Sequence, residues 1–175
     1  MAAGFEHLQS IDPESQLVNV VIDTPKGSRN KYKWNEAGHW QLSKVLPQGM
    51  CFPYDFGFIP QTRGEDGDPV DVLLIMDEPA FPGCVVSARL IGVIEAEQTE
   101  RRKTVRNDRL IAVVETPFNP AEYESLDQLH DQRIEELEHF FIAYNEVEGR
   151  KFKPLRRRGN QRARQLLDEA MTKKT

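Results

Sequence analysis

The stretch Glu65-Asp66-Gly67-Asp68-Pro69-Val70-Asp71-Val72 opens an apolar run and places three aspartates within six residues. Ionised carboxylates so close together repel one another, so cations or hydrogen-bond donors must neutralise them. Hard divalent cations such as Mg²⁺ take oxygen ligands and keep waters and substrate phosphates in their other positions. Asp, Gly and Pro also favour turns. The stretch therefore predicts a buried strand preceded either by a metal site for an anionic substrate or by a solvated acidic turn.

The composition favours one domain over residues 1–175, with residues 1–16 as an N-terminal arm and 150–175 as a basic segment with a short terminal helix. A formal net charge of −5 argues against a general nucleic-acid binder, although Arg150 to Arg164 carries eight basic residues and no acid. No segment resembles a signal peptide or reaches membrane-spanning length. We therefore expect a cytoplasmic protein without a membrane partner.

The first two thirds of the chain have the pattern of strands. Apolar runs predict four of them: Leu17 to Ile22, Val70 to Met76, Val85 to Ile94 and Leu110 to Glu115. Two more, Lys31 to Trp34 and His39 to Val45, flank a predicted turn. Asn35-Glu36-Ala37-Gly38 predicts a hairpin turn between the latter two.

The last third has helical periodicity. Apolar residues recur at helical intervals at Leu126, Leu129, Ile134, Leu137, Phe141 and Tyr144. Gly149 is a plausible stop, and Asn160 to Lys173 predicts a final short helix. Ser125 with Gln128 fits a capping box, or else a separate short turn. Short strands followed by helices indicate an α+β fold, a small barrel or curled sheet with helices packed outside.

Basic and aromatic residues accompany the predicted strands. Lysines and an arginine surround the first hairpin, at Lys26, Arg29, Lys31, Lys33 and Lys44, and such cations neutralise phosphate oxygens. Aromatic residues alternate at strand spacing, at Phe52, Tyr54, Phe56 and Phe58. Their rings belong either to the core or to a surface that stacks nucleic-acid bases. No serine or cysteine nucleophile motif is present.

Several segments resemble, in order, the soluble family I inorganic pyrophosphatases. They are Val20 to Pro25, Lys31-Tyr32, Phe52 to Ile59, Asp66 to Val72, Leu110 to Val113 and His139 to Phe141. The resemblance implies a five-stranded OB-like barrel with flanking C-terminal helices. It also implies Mg²⁺-dependent hydrolysis of pyrophosphate and a homo-oligomer, usually a hexamer in bacteria.

The resemblance also implies roles for individual residues. Asp66, Asp68 and Asp71 would bind metal. Asp68 would also orient or deprotonate an attacking water that is held between two metal ions. Lys31 would hold a substrate phosphate, and Tyr144 would donate a hydrogen bond to a phosphate oxygen. Metal ions lower the pKa of a bound water and stabilise the attacking and leaving oxygens, so no covalent nucleophile is needed.

The residues around this inner triad depart from the family pattern. Asp23 stands in the place of an outer acidic residue, but Lys33 stands where the family has Glu. Lys44, an expected substrate contact, replaces Arg, so that a bidentate phosphate contact becomes a point contact. Phe52 and Phe56 replace tyrosines and lack their hydroxyl donors.

The loop from Glu95 to Arg109 departs further, because it is longer than the corresponding family loop. Asn107 falls where a metal-binding Asp is expected, and Asp108 and Glu97 are alternative ligands. Arg109 falls where a substrate-binding Lys is expected.

Two interpretations remain open at the level of sequence. The chain is either a divergent pyrophosphatase, or a barrel that hydrolyses another phosphoanhydride or only binds phosphate or nucleic acid. Three mutually repelling aspartates favour a functional metal site.

Overall fold

The structure, a computed structural model, describes residues 4–35 and 37–173. Residues 1–3 of the predicted arm, Glu36 of the predicted turn and residues 174–175 lie outside this part. Within it, no helix is long and apolar enough to cross a membrane. The elements of the described ranges are β1 (Val18–Thr24), β2 (Asn30–Trp34), β3 (Trp40–Val45), β4 (Asp55–Phe58), β5 (Asp71–Ile75), β6 (Val85–Glu100), β7 (Lys103–Arg106), β8 (Arg109–Val114), a 3₁₀ turn (Leu126–Gln128), α1 (Asp131–Val147), β9 (Lys151–Gly159) and α2 (Asn160–Thr172).

Five of these strands close into a ring. Strand β1 pairs with β4, β4 with β5, β5 with β8 and β8 with β6, and β6 returns to β1. The β5–β8 pairing is parallel, and the other four are antiparallel. The ring and the two C-terminal helices confirm the α+β prediction and agree with a small five-stranded OB-like barrel.

Strand β5 is buried on both faces, which explains its nearly continuous apolar sequence. Val72 and Leu74 belong to a core cluster that includes Leu167 of α2. Leu73 belongs to a second cluster with Phe141 of α1. The two helices thus cover opposite faces of the strand that begins at the third aspartate of the acidic stretch.

The prediction that residues Glu95 to Arg109 form a loop is wrong for most of the segment. Strand β6 continues past the predicted end at Ile94, and its extension pairs with both β7 and β9. The extension contains charged residues that indicate a loop when they are read in isolation. One of them, Glu95, is buried and forms ion pairs with three arginines: Arg106, Arg158 and Arg162. The pairing of β6 with β9 also places Lys151–Gly159, the first part of the basic segment, in a strand that the sequence did not predict.

The helical region resolves the open question at Ser125. Ser125 and Gln128 form the predicted capping box, and it lies at a separate 3₁₀ turn, where the Gln128 side chain accepts from the Ser125 N–H at 3.4 Å. Helix α1 begins at Asp131 and ends at Val147, before Gly149 with its positive φ of 71°. That left-handed conformation suits glycine and ends the helix where the sequence predicts.

Candidate active site

The three aspartates predicted as metal ligands lie where the chain enters β5. Asp66 and Asp68 are exposed on the preceding loop, and Asp71 is the half-buried first residue of the strand. The Asp68 N–H donates to Asp66 Oδ1 at 3.1 Å, which folds the Asp66 carboxylate over its own loop. Although the residue as a whole is exposed, its carboxyl group is partly buried, and this burial, followed by the negative charges of Asp71 and Asp68, raises the pKa of Asp66 against the effect of that hydrogen bond. The three carboxylates therefore interact electrostatically.

A cleft of about 700 Å³ brings two of these aspartates together with the first hairpin. Asp68 and Asp71 line it, as do Lys31 and Lys33 of β2 and Asp23 of β1. The Lys31 ammonium lies 4.0 Å from Asp23 Oδ2. Predicted anion-binding cations and predicted acidic residues thus share one cavity.

Aromatic rings surround the buried cation of this cleft. The Nζ atom of Lys31 lies 4.3 Å from the ring centroid of Phe56, 5.7 Å from that of Phe52 and 5.8 Å from that of Tyr144. Burial favours the neutral amine, but the neighbouring Asp23 carboxylate helps to outweigh it, so the pKa of Lys31 is raised. Lys31 is therefore a cation at neutral pH, held in position by ring faces.

Two predicted substrate residues lie beside the cleft and do not line it. Lys44 forms an ion pair with Glu148, next to the end of α1, and its Nζ lies 5.2 Å from the Tyr144 ring centroid. Neither Lys44 nor Tyr144 is among the described residues that line the cleft. Burial, together with the positive charges of Lys31 and Arg150, lowers the pKa of Lys44 to about 8. The sequence carries no signal for the Lys44–Glu148 pair.

Arg109 lies behind the acidic loop and contacts one of its carboxylates. Its Nη1 group donates to Asp71 Oδ2 and to Asn107 Oδ1. The residue is only 4 % exposed. The centre of its guanidinium lies 5.1 Å from the ring centroid of Phe141 and 5.6 Å from that of Phe152. The predicted substrate-binding residue is thus an internal partner of Asp71.

The other residues predicted for this loop have different partners. The Asn107 amide donates to Gln98 Oε1 at 2.9 Å. Asp108 accepts from the Ala96 N–H at 2.8 Å and from Arg106 at 2.7 Å. Asp108 lines a second cavity of about 270 Å³ together with Asp66, Asp71 and Asn107. Glu97 lies on β6, in register with Arg106 and Lys153.

Comparison with known proteins agrees with this site. The sequence model described as inorganic pyrophosphatase matches residues 20–175. The chain belongs to the inorganic pyrophosphatase family. An inorganic pyrophosphatase of Synechocystis is 37% identical over 137 residues, which cover 78% of this chain and 79% of the relative. The inorganic pyrophosphatase of Halalkalibacterium halodurans is 33% identical over 161 residues, which cover 91% of this chain and 96% of the relative.

Solved pyrophosphatase structures share the fold over nearly the whole chain. The inorganic pyrophosphatase of Neisseria gonorrhoeae superposes with a TM-score of 0.86 at 29% identity and covers 97% of this chain and 98% of its own. The inorganic pyrophosphatase of Thermus thermophilus superposes with a TM-score of 0.86 at 29% identity, and the match covers 98% of this chain and 99% of that one. The ring and helices described above are therefore those of a pyrophosphatase.

Membership in this family implies a divalent metal cofactor, and the donor atoms of the acidic loop fit such an ion in part. Carboxylate oxygens are suitable ligands for hard divalent cations, and burial, followed by the charges of Asp71 and Asp68, raises the pKa of Asp66. Within the described residues, however, no three Asp, Glu, His or Cys side chains form a group that could hold a metal by themselves. One oxygen of Asp71 is bound by Arg109. The loop therefore suits an ion that takes its remaining ligands from water and phosphate.

Two of the four aromatic rings proposed for nucleic-acid stacking are buried. Phe52 and Phe56 are 0% and 2% exposed and belong to the core cluster beneath α1. Five arginines of the basic segment have acidic partners: Arg150, Arg157, Arg158, Arg162 and Arg164. Buried rings cannot stack bases, and paired arginines attract a polyanion less strongly.

The buried carboxyl of Asp23 makes stability depend on pH. Burial raises the pKa of Asp23 from 3.8 to about 6, and Oδ1 has no hydrogen-bond partner in the described structure. The folded state therefore holds this proton at pH values where the unfolded state has released it, so stability falls as pH rises through this range. Without metal, we expect the unfolding free energy of the wild type to fall by about 2–3 kcal/mol relative to Asp23→Asn. Urea titrations in EDTA at pH 4 to 7 measure this, and parallel pH profiles of the two proteins would contradict it.

Proposed function

We propose that this chain hydrolyses inorganic pyrophosphate to two phosphates, with Mg²⁺ as its divalent cation. The observation that carries the proposal is the shared cleft, in which Asp68 and Asp71 lie with Lys31 and Lys33. Acidic groups for a cation and basic groups for a phosphate are the two requirements of metal-assisted phosphoryl transfer. The named relatives are inorganic pyrophosphatases, which supports the same substrate.

Asp66, Asp68 and Asp71 would hold the cation through their carboxylate oxygens. Mg²⁺ suits this set, because it is commonly bound by one or two carboxylates and completes its coordination with waters and substrate phosphates. When bound, the ion supplies charge that lowers the pKa of the attacking water and neutralises phosphate oxygens. Asp68, which is exposed in the cleft, orients that water and accepts its proton.

The basic side chains would position the substrate. Lys31 lies among the rings of Phe52, Phe56 and Tyr144, so its ammonium is preorganised to contact a phosphate oxygen. Lys33 lines the same cleft from the exposed edge of β2. The preorganisation means that little side-chain entropy is lost when Lys31 binds its phosphate.

Phosphate release from pyrophosphate by the purified full-length chain tests the function. We expect release that requires Mg²⁺, stops on addition of EDTA and returns when Mg²⁺ is restored. Tripolyphosphate and ATP, assayed in parallel, should be poorer substrates. Faster hydrolysis of either would favour the alternative phosphoanhydride, and no release from any of them would contradict the proposal.

We also propose that the chain forms a homo-oligomer, which by family resemblance has six chains. We propose in addition that the protein is cytoplasmic. Fold and length close to those of the solved pyrophosphatases support these proposals, as does a relative from Arabidopsis thaliana, named soluble inorganic pyrophosphatase 3. Sedimentation velocity measures the mass of the assembly, and a monomer at all concentrations would contradict the oligomer.

A further inference from the structure

The N-terminal arm reaches the tip of the β2–β3 hairpin, where Trp34 ends β2 and Trp40 begins β3. The ring centroid of Phe5 lies 5.4 Å from that of Trp34 and 6.3 Å from that of Trp40. It also lies 5.9 Å from the centroid of Phe58, the last residue of β4. The two tryptophans are in edge-to-face contact at 5.5 Å. Rings from the arm, the hairpin and the barrel thus form one aromatic cluster.

The tip of the hairpin needs such an anchor. In the described ranges β2 and β3 pair with each other and with no strand of the barrel sheet, and an isolated two-stranded hairpin is at best marginally stable in water. The base of the hairpin is fixed by Leu46, which follows β3 and is buried in the core beneath α1. At the tip, a β-carbon added to Gly4 would lie 2.9 Å from Cζ2 of Trp34, so the arm backbone packs directly on this indole.

The same arm is bonded to the segment that leads into the acidic loop. The Gln61 amide donates to the Glu6 carbonyl at 2.9 Å and to the Leu8 carbonyl at 3.0 Å. The buried Ser10 hydroxyl donates to the Pro60 carbonyl at 2.6 Å. The arm therefore connects the two sides of the cleft, the hairpin with its lysines and the chain that enters the aspartates.

We infer that Phe5 is a positioning residue for the substrate, because it fixes the hairpin tip and thereby holds Lys33 in the cleft where a phosphate binds. Lys33 directly precedes Trp34, and both line the cleft together with Phe58. Lys31, by contrast, is held by rings of its own. The inference rests on the proposed function, because it concerns the substrate of the same cleft.

The position of the Lys33 ammonium follows that of its strand. Lys33 is exposed, and its side chain forms no ion pair with the described residues. With a loose tip, substrate binding would have to order the hairpin and would bear that cost. The bound state would be restored, so loss of Phe5 raises KM and leaves kcat nearly unchanged. A general loss of folded protein would instead lower the apparent kcat and leave KM unchanged.

A double-mutant cycle on the full-length chain, read by steady-state hydrolysis of pyrophosphate in Mg²⁺, tests the inference. Phe5→Ala should raise KM about 5-fold, because each aromatic pair contributes a factor of roughly 2 to 12. Lys33→Met should raise KM about 10-fold through loss of a hydrogen bond from a charged group. The double variant should resemble Lys33→Met, because Phe5 then has no ammonium to position.

Phe118→Ala is the matched control, since Phe118 is 98% exposed and does not line the cleft, and its KM should stay at the wild-type value. An equal effect of Phe5→Ala with and without Lys33 would overturn the inference. So would an unchanged KM, or a fall in kcat alone. If Phe5→Ala does not fold, Phe5→Leu, which removes the ring but keeps apolar bulk, replaces it in the cycle under the same criteria.

Failure of the inference and failure of the proposed function give different results. If the wild type does not hydrolyse pyrophosphate, the same cycle is measured as Kd by calorimetric titration of pyrophosphate in Mg²⁺. A non-additive cycle in Kd without hydrolysis defeats only the proposed function. An additive cycle in an active enzyme defeats only the inference, and absence of both hydrolysis and binding defeats both.

Discussion

Replacement of Asp68 by asparagine is expected to reduce pyrophosphate hydrolysis about 10³-fold, since a positioned general base contributes roughly 10² to 10⁴. The amide would keep the shape of the side chain but could no longer accept the proton of the attacking water. Asp68 is exposed, and its backbone N–H, which donates to Asp66 Oδ1, is unchanged by the substitution. The fold should therefore remain intact. Phosphate release at saturating substrate, together with a thermal melt, measures both effects.

Glu65→Gln is the matched control for this substitution. It removes one negative charge from the same exposed loop, and the only bond recorded for the Glu65 side chain in the described structure comes from the Arg106 N–H at 3.3 Å. Glu65 does not line the cleft that holds Asp68 and Lys31. Its variant should keep nearly wild-type turnover. If the two variants lost activity equally, loop charge rather than proton transfer would explain the effect, and the role of Asp68 would be wrong.

Replacement of Lys31 by methionine is expected to lower kcat/KM for pyrophosphate about 100-fold, because a hydrogen bond to a charged group contributes roughly 1.5–3 kcal/mol. The Lys31 ammonium is the cation of the cleft that packs against Phe56, Phe52 and Tyr144. Methionine retains much of the packing with these rings but offers nothing to a phosphate oxygen. Steady-state kinetics over a range of Mg²⁺ concentrations measures the loss.

The Lys31→Met protein also leaves Asp23 buried without its counter-ion, so a structural cause must be separated from lost substrate binding. The double variant Lys31→Met/Asp23→Asn removes that unpaired charge. It should regain stability but not activity. Recovery of activity in the double variant would show that Lys31 acts only by neutralising Asp23. Lys26→Met is the control for loss of a nearby charge, because Lys26 is exposed and its ammonium donates to the Asp77 carbonyl, while its backbone N–H, which bonds to Asp55, is unchanged by the substitution.

Much of the fold could be predicted from sequence, because its signals are local. The apolar run after Asp71 predicts a strand buried on both faces, and the 3.6-residue period predicts α1 with Phe141 and Tyr144 inward. Strands β6, β7 and β9 were harder to predict. Their charged residues lie in strands because β6 pairs with β7 and β9, and Glu95 is neutralised there by arginines from β9 and α2. A local sequence pattern does not show such distant partners.

By itself, the sequence determined the family, the apolar strands and the acidic loop that holds three aspartates. Only the tertiary structure decided how those charges are balanced. It joined Arg109 to Asp71 and Lys44 to Glu148. A charged residue has the same local pattern whether it is solvated, binds substrate or pairs with a distant group. Because these partners are far apart along the chain, only the closure of the ring and the packing of α1 bring them within hydrogen-bonding distance.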